Sequence, residues 1–238
     1  MDFFDPLFWT ALATIIGVNI VLSGDNAVVI ALASRSLPAE QRTKAIFWGS
    51  AAAIILRIVL TVFAVKLLQL SWLKIIGALL LFWIGVKLLI PEDDDANIAG
   101  HEHLGAAIKT ILIADLVMSL DNVIAVAAAA KDDIVLLVLG LAISIPLIIF
   151  SSTLLLKLMD RFPIIITIGA ALLGFVAGEM LITDPATKGW VDQNAAWMHY
   201  AIPALGAAFV VGLGLFLAKR HHASSASSGE TATASESS

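Results

Sequence analysis

The 238-residue sequence has no cysteine, so disulfides and thiolate metal sites are excluded, and the redox compartment cannot be read from it. Charge is also scarce. Asp, Glu, Lys and Arg make up 14% of the chain, against 60% apolar residues, well above the roughly 45–50% of an ordinary soluble domain. That balance excludes a soluble globular enzyme. No basic patch exists to hold nucleic acid, and the net charge of -5 comes largely from the Glu92–Asp95 run and two tail glutamates, Glu230 and Glu236. The first residues, Met1-Asp2-Phe3-Phe4-Asp5-Pro6, lack a basic region, and no obvious cleavage site follows, so the first apolar segment is expected to be a retained span.

What is present is a series of long apolar runs, rich in Leu and Ala and without strand-like alternation. In lipid only helices and closed barrels satisfy their own backbone. The expectation is therefore an all-α polytopic membrane protein with seven transmembrane helices, near 8–33, 45–69, 71–90, 106–130, 134–156, 163–183 and 199–218. The Ser, Ala, Thr, Gly and Glu composition after His222 cannot bury a core, and 221–238 are expected to form a disordered cytoplasmic tail. Nine Lys and Arg residues fall on one side of these spans and four on the other, with Arg57 alone in mid-span. The richer side is assigned to the cytoplasm, which puts the N-terminus outside and the C-terminus inside. Trp9, Trp72 and Trp197 fall near the outer ends, where amphipathic rings favour the interface.

The chain repeats itself. The string from Asn19, N-I-V-L-S-G-D-N-A-V, matches the string from Asp115, D-L-V-M-S-L-D-N-V-I, so that Ser23, Asp25 and Asn26 recur as Ser119, Asp121 and Asn122. Ile76-Gly77-Ala78-Leu79 likewise matches Ile168-Gly169-Ala170-Ala171. Residues 5–91 then form a first three-helix repeat, 92–105 an acidic and histidine-bearing cytoplasmic loop, 106–184 a second repeat, and 185–220 an outer loop with the seventh helix. Three spans per repeat force the two halves to be inverted, and inverted repeats with matched polar interruptions point to a transport site near the midplane.

Carboxylates inside a membrane cost on the order of 2.5–3.5 kcal/mol each on insertion scales, so Asp25, Asp115 and Asp121 require partners or a function. At about 100° per residue, Asn19, Ser23 and Asn26 share one narrow helix face, and Asp115, Ser119 and Asn122 share its counterpart. Gly24 would allow the first helix to open there; Leu120 is less permissive. Carboxylate, amide and hydroxyl oxygens suit a hard or borderline divalent ion such as Mn²⁺, Mg²⁺ or Ca²⁺. Met118 is a candidate soft ligand that would tilt the choice toward a transition ion, although methionine is more often packing. Arg57 is expected to balance a buried carboxylate, and Glu179, near the outer end of the sixth span, is either an exit-path ligand or an interfacial carboxylate. The run Glu92-Asp93-Asp94-Asp95 with His101-Glu102-His103 has the residue types of a metal collector, but more commonly such a run is a solvated loop.

The paired S-G-D-N and S-L-D-N helices, the seven spans and the Gly-Ala-Leu segments together resemble the TerC family of integral membrane proteins, over roughly Asp5 to Lys219. The resemblance implies transport of metal ions across a bacterial inner membrane, chiefly manganese efflux, with some members linked to tellurite resistance or to metal loading of secreted enzymes. On the matching positions it implies Asp25, Asn26, Asp121 and Asn122 as the ion-binding core, with the ion as substrate and no resident cofactor. Two other readings stand beside it. One is a membrane partner protein, meeting a second copy or another protein through small-residue faces such as Gly206, Gly212 and Gly214. The other is an intramembrane aspartyl protease, against which stand the Asn after each Asp and the symmetric duplication.

Overall fold

In the computed structural model, residues 6–67, 70–90, 100–130 and 134–236 are described, and among them all regular structure is helical. In chain order the helices are α1 (Pro6–Leu22), α2 (Gly24–Ser34), α3 (Ala39–Leu67), α4 (Leu73–Lys87), α5 (Gly100–Ala130), α6 (Ile134–Arg161), α7 (Ile164–Thr183), α8 (Lys188–Asn194) and α9 (Met198–Glu236). Five of them, α3, α5, α6, α7 and α9, are long and apolar enough to cross a membrane, and α1 with α2 makes a sixth if that bent pair is one span.

This differs from seven uniform spanning helices at two places. The first segment is broken at Ser23, where the chain bends by 50° ahead of Gly24, the residue that permits such an opening. The third is cut to the 15 residues of α4, about 22 Å long at 1.5 Å per residue and shorter than the hydrocarbon layer. Its start is fixed by Trp72, whose backbone is left-handed (φ 74°), and a turn follows Lys87.

Two further boundaries move. α5 starts at Gly100, so His101 to His103 are helical in backbone and not part of a loop, because Leu104 and Ala107 pack against Leu37 and Ala45. The Glu92–Asp95 run lies outside the described residues. α9 continues helically to Glu236 where disorder was expected; the composition bars a buried core, not a helical backbone, for which Ala and Glu are favourable.

Side-chain registers give the helix directions. Gly49 faces Ile111, Arg57 meets Asp115 and Ser119, and Leu60 clusters with Val123, so α3 and α5 run parallel. Gly77 faces Met180 while Gly85 faces Leu173, so α4 and α7 run antiparallel. α7 and α9 are antiparallel too, with Gly174 against Gly206 and Gly178 against Ile202 and Pro203 so close that no Cβ fits at either position of α7.

Polar clasps mark the two ends of the bundle. At one, Arg42 donates from Nε to the Leu37 carbonyl (2.8 Å) and from Nη2 to that of Arg35 (2.8 Å), and pairs through Nη1 with Asp160 (2.9 Å). Arg35 in turn donates to the carbonyl of Leu88, just past α4 (3.2 Å). At the other end, the buried Asp184 takes the N–H groups of Trp72 (3.0 Å), Lys74 (3.1 Å) and Ala186 (2.8 Å), so a residue following α7 caps the start of α4. Short as it is, α4 joins the two ends.

Candidate functional site

Among the described residues Arg57 is the largest fully buried side chain, 1% exposed, and its guanidinium is the hub of the bundle centre. Nη1 donates to Asn19 Oδ1 (2.8 Å) and Ser23 Oγ (3.1 Å), Nε donates to Ser119 Oγ (3.1 Å), and Nη2 donates to Asp115 Oδ1 (2.5 Å). Two of these partners come from α1 and the break that follows it and two from α5, and they hold the same places in the two copies of the sequence repeat. Each pair is also linked internally across one helical turn, Ser23 to Asn19 (3.4 Å) and Ser119 to Asp115 Oδ2 (3.2 Å). A buried ion pair is tolerable when every lone pair and donor finds a partner, and Asp115 meets that condition on both oxygens.

A second polar group surrounds the α1–α2 break. The carbonyl of Leu22, the last residue of α1, accepts from Asn26 Nδ2 (3.4 Å) and from Asn122 Nδ2 (3.1 Å), the repeat-equivalent asparagines. Asp25 is half-buried, and its Oδ1 accepts the N–H of Asn26 (2.8 Å). No cation among the described residues lies within ion-pair distance of it. Asn26 Oδ1 is buried with no protein partner, an acceptor left open beside that carboxylate. Asn19 is orphaned in the opposite sense: its oxygen is taken by Arg57 and its unpartnered atom is the donor Nδ2.

The nine candidate ligands therefore separate. Asn19, Ser23, Asp115 and Ser119 surround the guanidinium. Asp25, Asn26 and Asn122 gather at the helix break; Asp121 adjoins Asn122 on α5, with its side chain outside the described residues. Met118 is buried in the main apolar core. Glu179 lies exposed on α7, next to Gly178, which packs against α9. Among the described residues no group of three or more His, Cys, Asp or Glu side chains forms a metal centre.

Sequence reading missed Ser34, Ser50 and Ser152, buried on α2, α3 and α6 with no partner for their hydroxyls. A serine inside an apolar run carries no sequence signal that separates a pore lining from packing. Asp184 was missed as well, since nothing in the sequence ties it to residues more than 100 positions earlier.

The chain is 42% identical over 201 residues to the uncharacterized membrane protein YjbE of Bacillus subtilis, covering 84% of this chain and 92% of that protein. It is 27% identical to the uncharacterized membrane protein YceF of the same organism (74% of this chain, 72% of that one) and 26% identical to the UPF0053 inner membrane protein YgdQ of Escherichia coli (67% and 74%). No solved structure matches it. The model of the integral membrane protein TerC family matches residues 4–222, and the chain, with its helical bundle and duplicated Asp-Asn helices, belongs to that family.

Proposed function

We propose that this protein carries divalent metal ions, Mn²⁺ first among them, out of the cytoplasm through a midplane site made by Asp25, Asn26, Asp121 and Asn122. The observation that carries the reading is the charge balance at the bundle centre. Arg57 neutralises Asp115, while Asp25 has no cation within pairing distance and stands beside the unpartnered oxygen of Asn26. A half-buried carboxylate next to an open amide oxygen is a receptor for a hard or borderline cation. The Asp121 carboxylate, placed by the repeat next to Asn122, brings the unbalanced charge to that of one divalent ion. The break at Ser23 supplies what discontinuous helices supply in transporters, backbone and side-chain oxygens at membrane depth.

The transport reading includes seven crossings built as two inverted three-helix repeats and a last helix, in the inner membrane, with the N-terminus outside and the tail in the cytoplasm. Support comes from the helix directions. With α3 and α5 parallel, the chain between them must cross back, which gives the short α4 the part of a span. α4 and α7, the third helices of the two repeats, are antiparallel, as inversion requires. Asp115, the extra carboxylate that stands where the first repeat has Asn19 and a candidate proton carrier on that ground, is paired with Arg57, which leaves Asp25 as the carboxylate for proton exchange.

Against an intramembrane aspartyl protease stand the asparagine that follows each of Asp25 and Asp121 and the commitment of Asp115 to Arg57. A role as an assisting membrane partner has less surface than the sequence offers: Gly206 and Gly214 are used inside the chain against Gly174 and Leu89, and Gly212 alone of the three is open. Purified protein in liposomes, loaded with Mn²⁺ and read by a metal-quenched dye, tests the reading; flux no greater than in empty liposomes would sink it.

A further inference from the structure

The oxygen cage around Arg57 is built from matched residues of both repeats, yet the arginine comes from one repeat alone, since the nearest aligned position in the second is Ile148. A cage of this kind offers one carboxylate, one amide oxygen and two hydroxyls, the donor types that hold a free cation. It is sealed: Asn19 and Ser119 have no exposed surface, and Arg57 has almost none. We propose that this cage is a second cation site of the protein, permanently filled by a tethered cation, the Arg57 guanidinium, so that one of two sites, each drawn from both repeats, stays loaded while the other exchanges ions.

The planar fork suits the task, because its N–H groups reach oxygens on α1 and α5 at once, which a lysine ammonium cannot do with the same geometry. α1, α3 and α5 are thereby joined whether or not a transported ion is present, and loading and unloading are confined to the Asp25–Asn26 side of the helix break. Asn19 and Asp115 are then cage ligands, not ligands of the moving ion, which accounts for the donor Nδ2 as the free atom of Asn19.

That the cage is one of two sites rests on the transport reading, but the cage itself can be tested apart from it. Arg57→Ala removes the tethered cation and leaves the oxygens. In detergent-purified protein, Mn²⁺ titration followed by electron paramagnetic resonance should show one bound ion in the wild type and two in Arg57→Ala, and guanidinium chloride at non-denaturing concentration should return the variant to one. Guanidinium should also raise the melting temperature of Arg57→Ala saturably, with no such effect on the wild type or on Arg57→Ala with Asp115→Ala. Should Arg57→Ala not fold, Arg57→Ser, which empties the cage while keeping a small polar group on α3, takes the same measurements. A wild type that binds no Mn²⁺ removes the transport reading and leaves the guanidinium arm to decide the cage. A folded variant with neither an added Mn²⁺ nor a response to guanidinium overturns the inference.

Discussion

Asn122 reaches from α5 to the carbonyl of Leu22, where α1 ends, and donates to it at 3.1 Å. That carbonyl belongs to the last turn of a helix interrupted at Ser23, and a buried backbone oxygen left unsatisfied costs about 1–3 kcal/mol. Asn26 shares the oxygen from the other side of the break. Two repeat-equivalent side chains thus hold open one discontinuity, which gives each asparagine a positioning part besides any contact with an ion. Asn122→Ala is expected to lower thermal stability in detergent by about 1 kcal/mol and to cut Mn²⁺ flux, whereas Asn122→Gln, longer by one methylene, should recover stability more than flux. Equal recovery of both would leave Asn122 with a structural part alone.

Asp25 is the sharper test of the ion site. Its removal leaves no unpaired buried cation, so Asp25→Asn should insert and purify like the wild type. Mn²⁺ flux should drop to the level of protein-free liposomes. Wild-type flux in Asp25→Asn would remove the carboxylate from the mechanism.

Asp115 has the opposite stability profile. Asp115→Ala strands the Arg57 charge at the centre of the bundle, and breaking a buried pair in this way costs about 3–5 kcal/mol. Arg57→Met combined with Asp115→Ala should regain most of that loss, as replacing both ions with apolar groups commonly does. A double-mutant cycle by thermal denaturation measures the difference; independent, additive losses would show that the pair is not coupled.

The expected pairing of Arg57 with a carboxylate and the opening near Gly24 were legible from the sequence, because a lone buried charge and a glycine beside polar residues each have few physical outcomes. The choice of Asp115 over Asp25 was not, since helix periodicity places residues on a face but gives no distance between faces. Nor was the division of the ligands into an arginine-held cage and an open group: Asn19, Ser23, Asp115 and Ser119 have the chemistry of metal ligands, and the guanidinium that takes their oxygens comes from a helix the repeat does not mark. The length of α4 was hidden for a different reason. Leu88 to Ile90 continue the apolar run, and composition cannot reveal that Asp184 and Trp72 fix where the helix begins.

That Asp184 clasp is pH-dependent. Burial pushes its carboxyl up, but the N–H groups of Ala186, Trp72, Lys74 and Ile75 together outweigh burial and hold it below the ordinary value of 3.8. A depressed folded-state value means the stabilisation is fully present above the unfolded chain's value and is lost as pH falls through the lower folded one. Asp184→Ala should therefore destabilise the protein by about 1–3 kcal/mol at neutral pH and by less in strong acid. Melting temperatures across that range check it, and a deficit that does not shrink on acidification would assign the effect to packing.

Topology can be tested cleanly because the chain contains no cysteine, so any single introduced thiol is the sole one. Ser36 lies exposed in the turn between α2 and α3, Ser71 in the turn between α3 and α4, and Gly189 on α8 with open space where a Cβ would stand. If α4 crosses, Ser71 and Gly189 share one side and Ser36 lies on the other, since Asp184 ties the start of α4 to the end of α7 while Arg35 ties its far end to the α2–α3 turn. The Lys and Arg asymmetry adds the sign: Ser36 faces the cytoplasm. A membrane-impermeant maleimide on intact cells should label Ser71→Cys and Gly189→Cys, and should label Ser36→Cys and Lys87→Cys, the latter exposed at the far end of α4, only after permeabilisation. The reverse pattern would keep the seven crossings and invert the orientation. Labelling of Ser71→Cys and Lys87→Cys from the same side would mean that α4 does not cross, and the inverted repeat would fall with it.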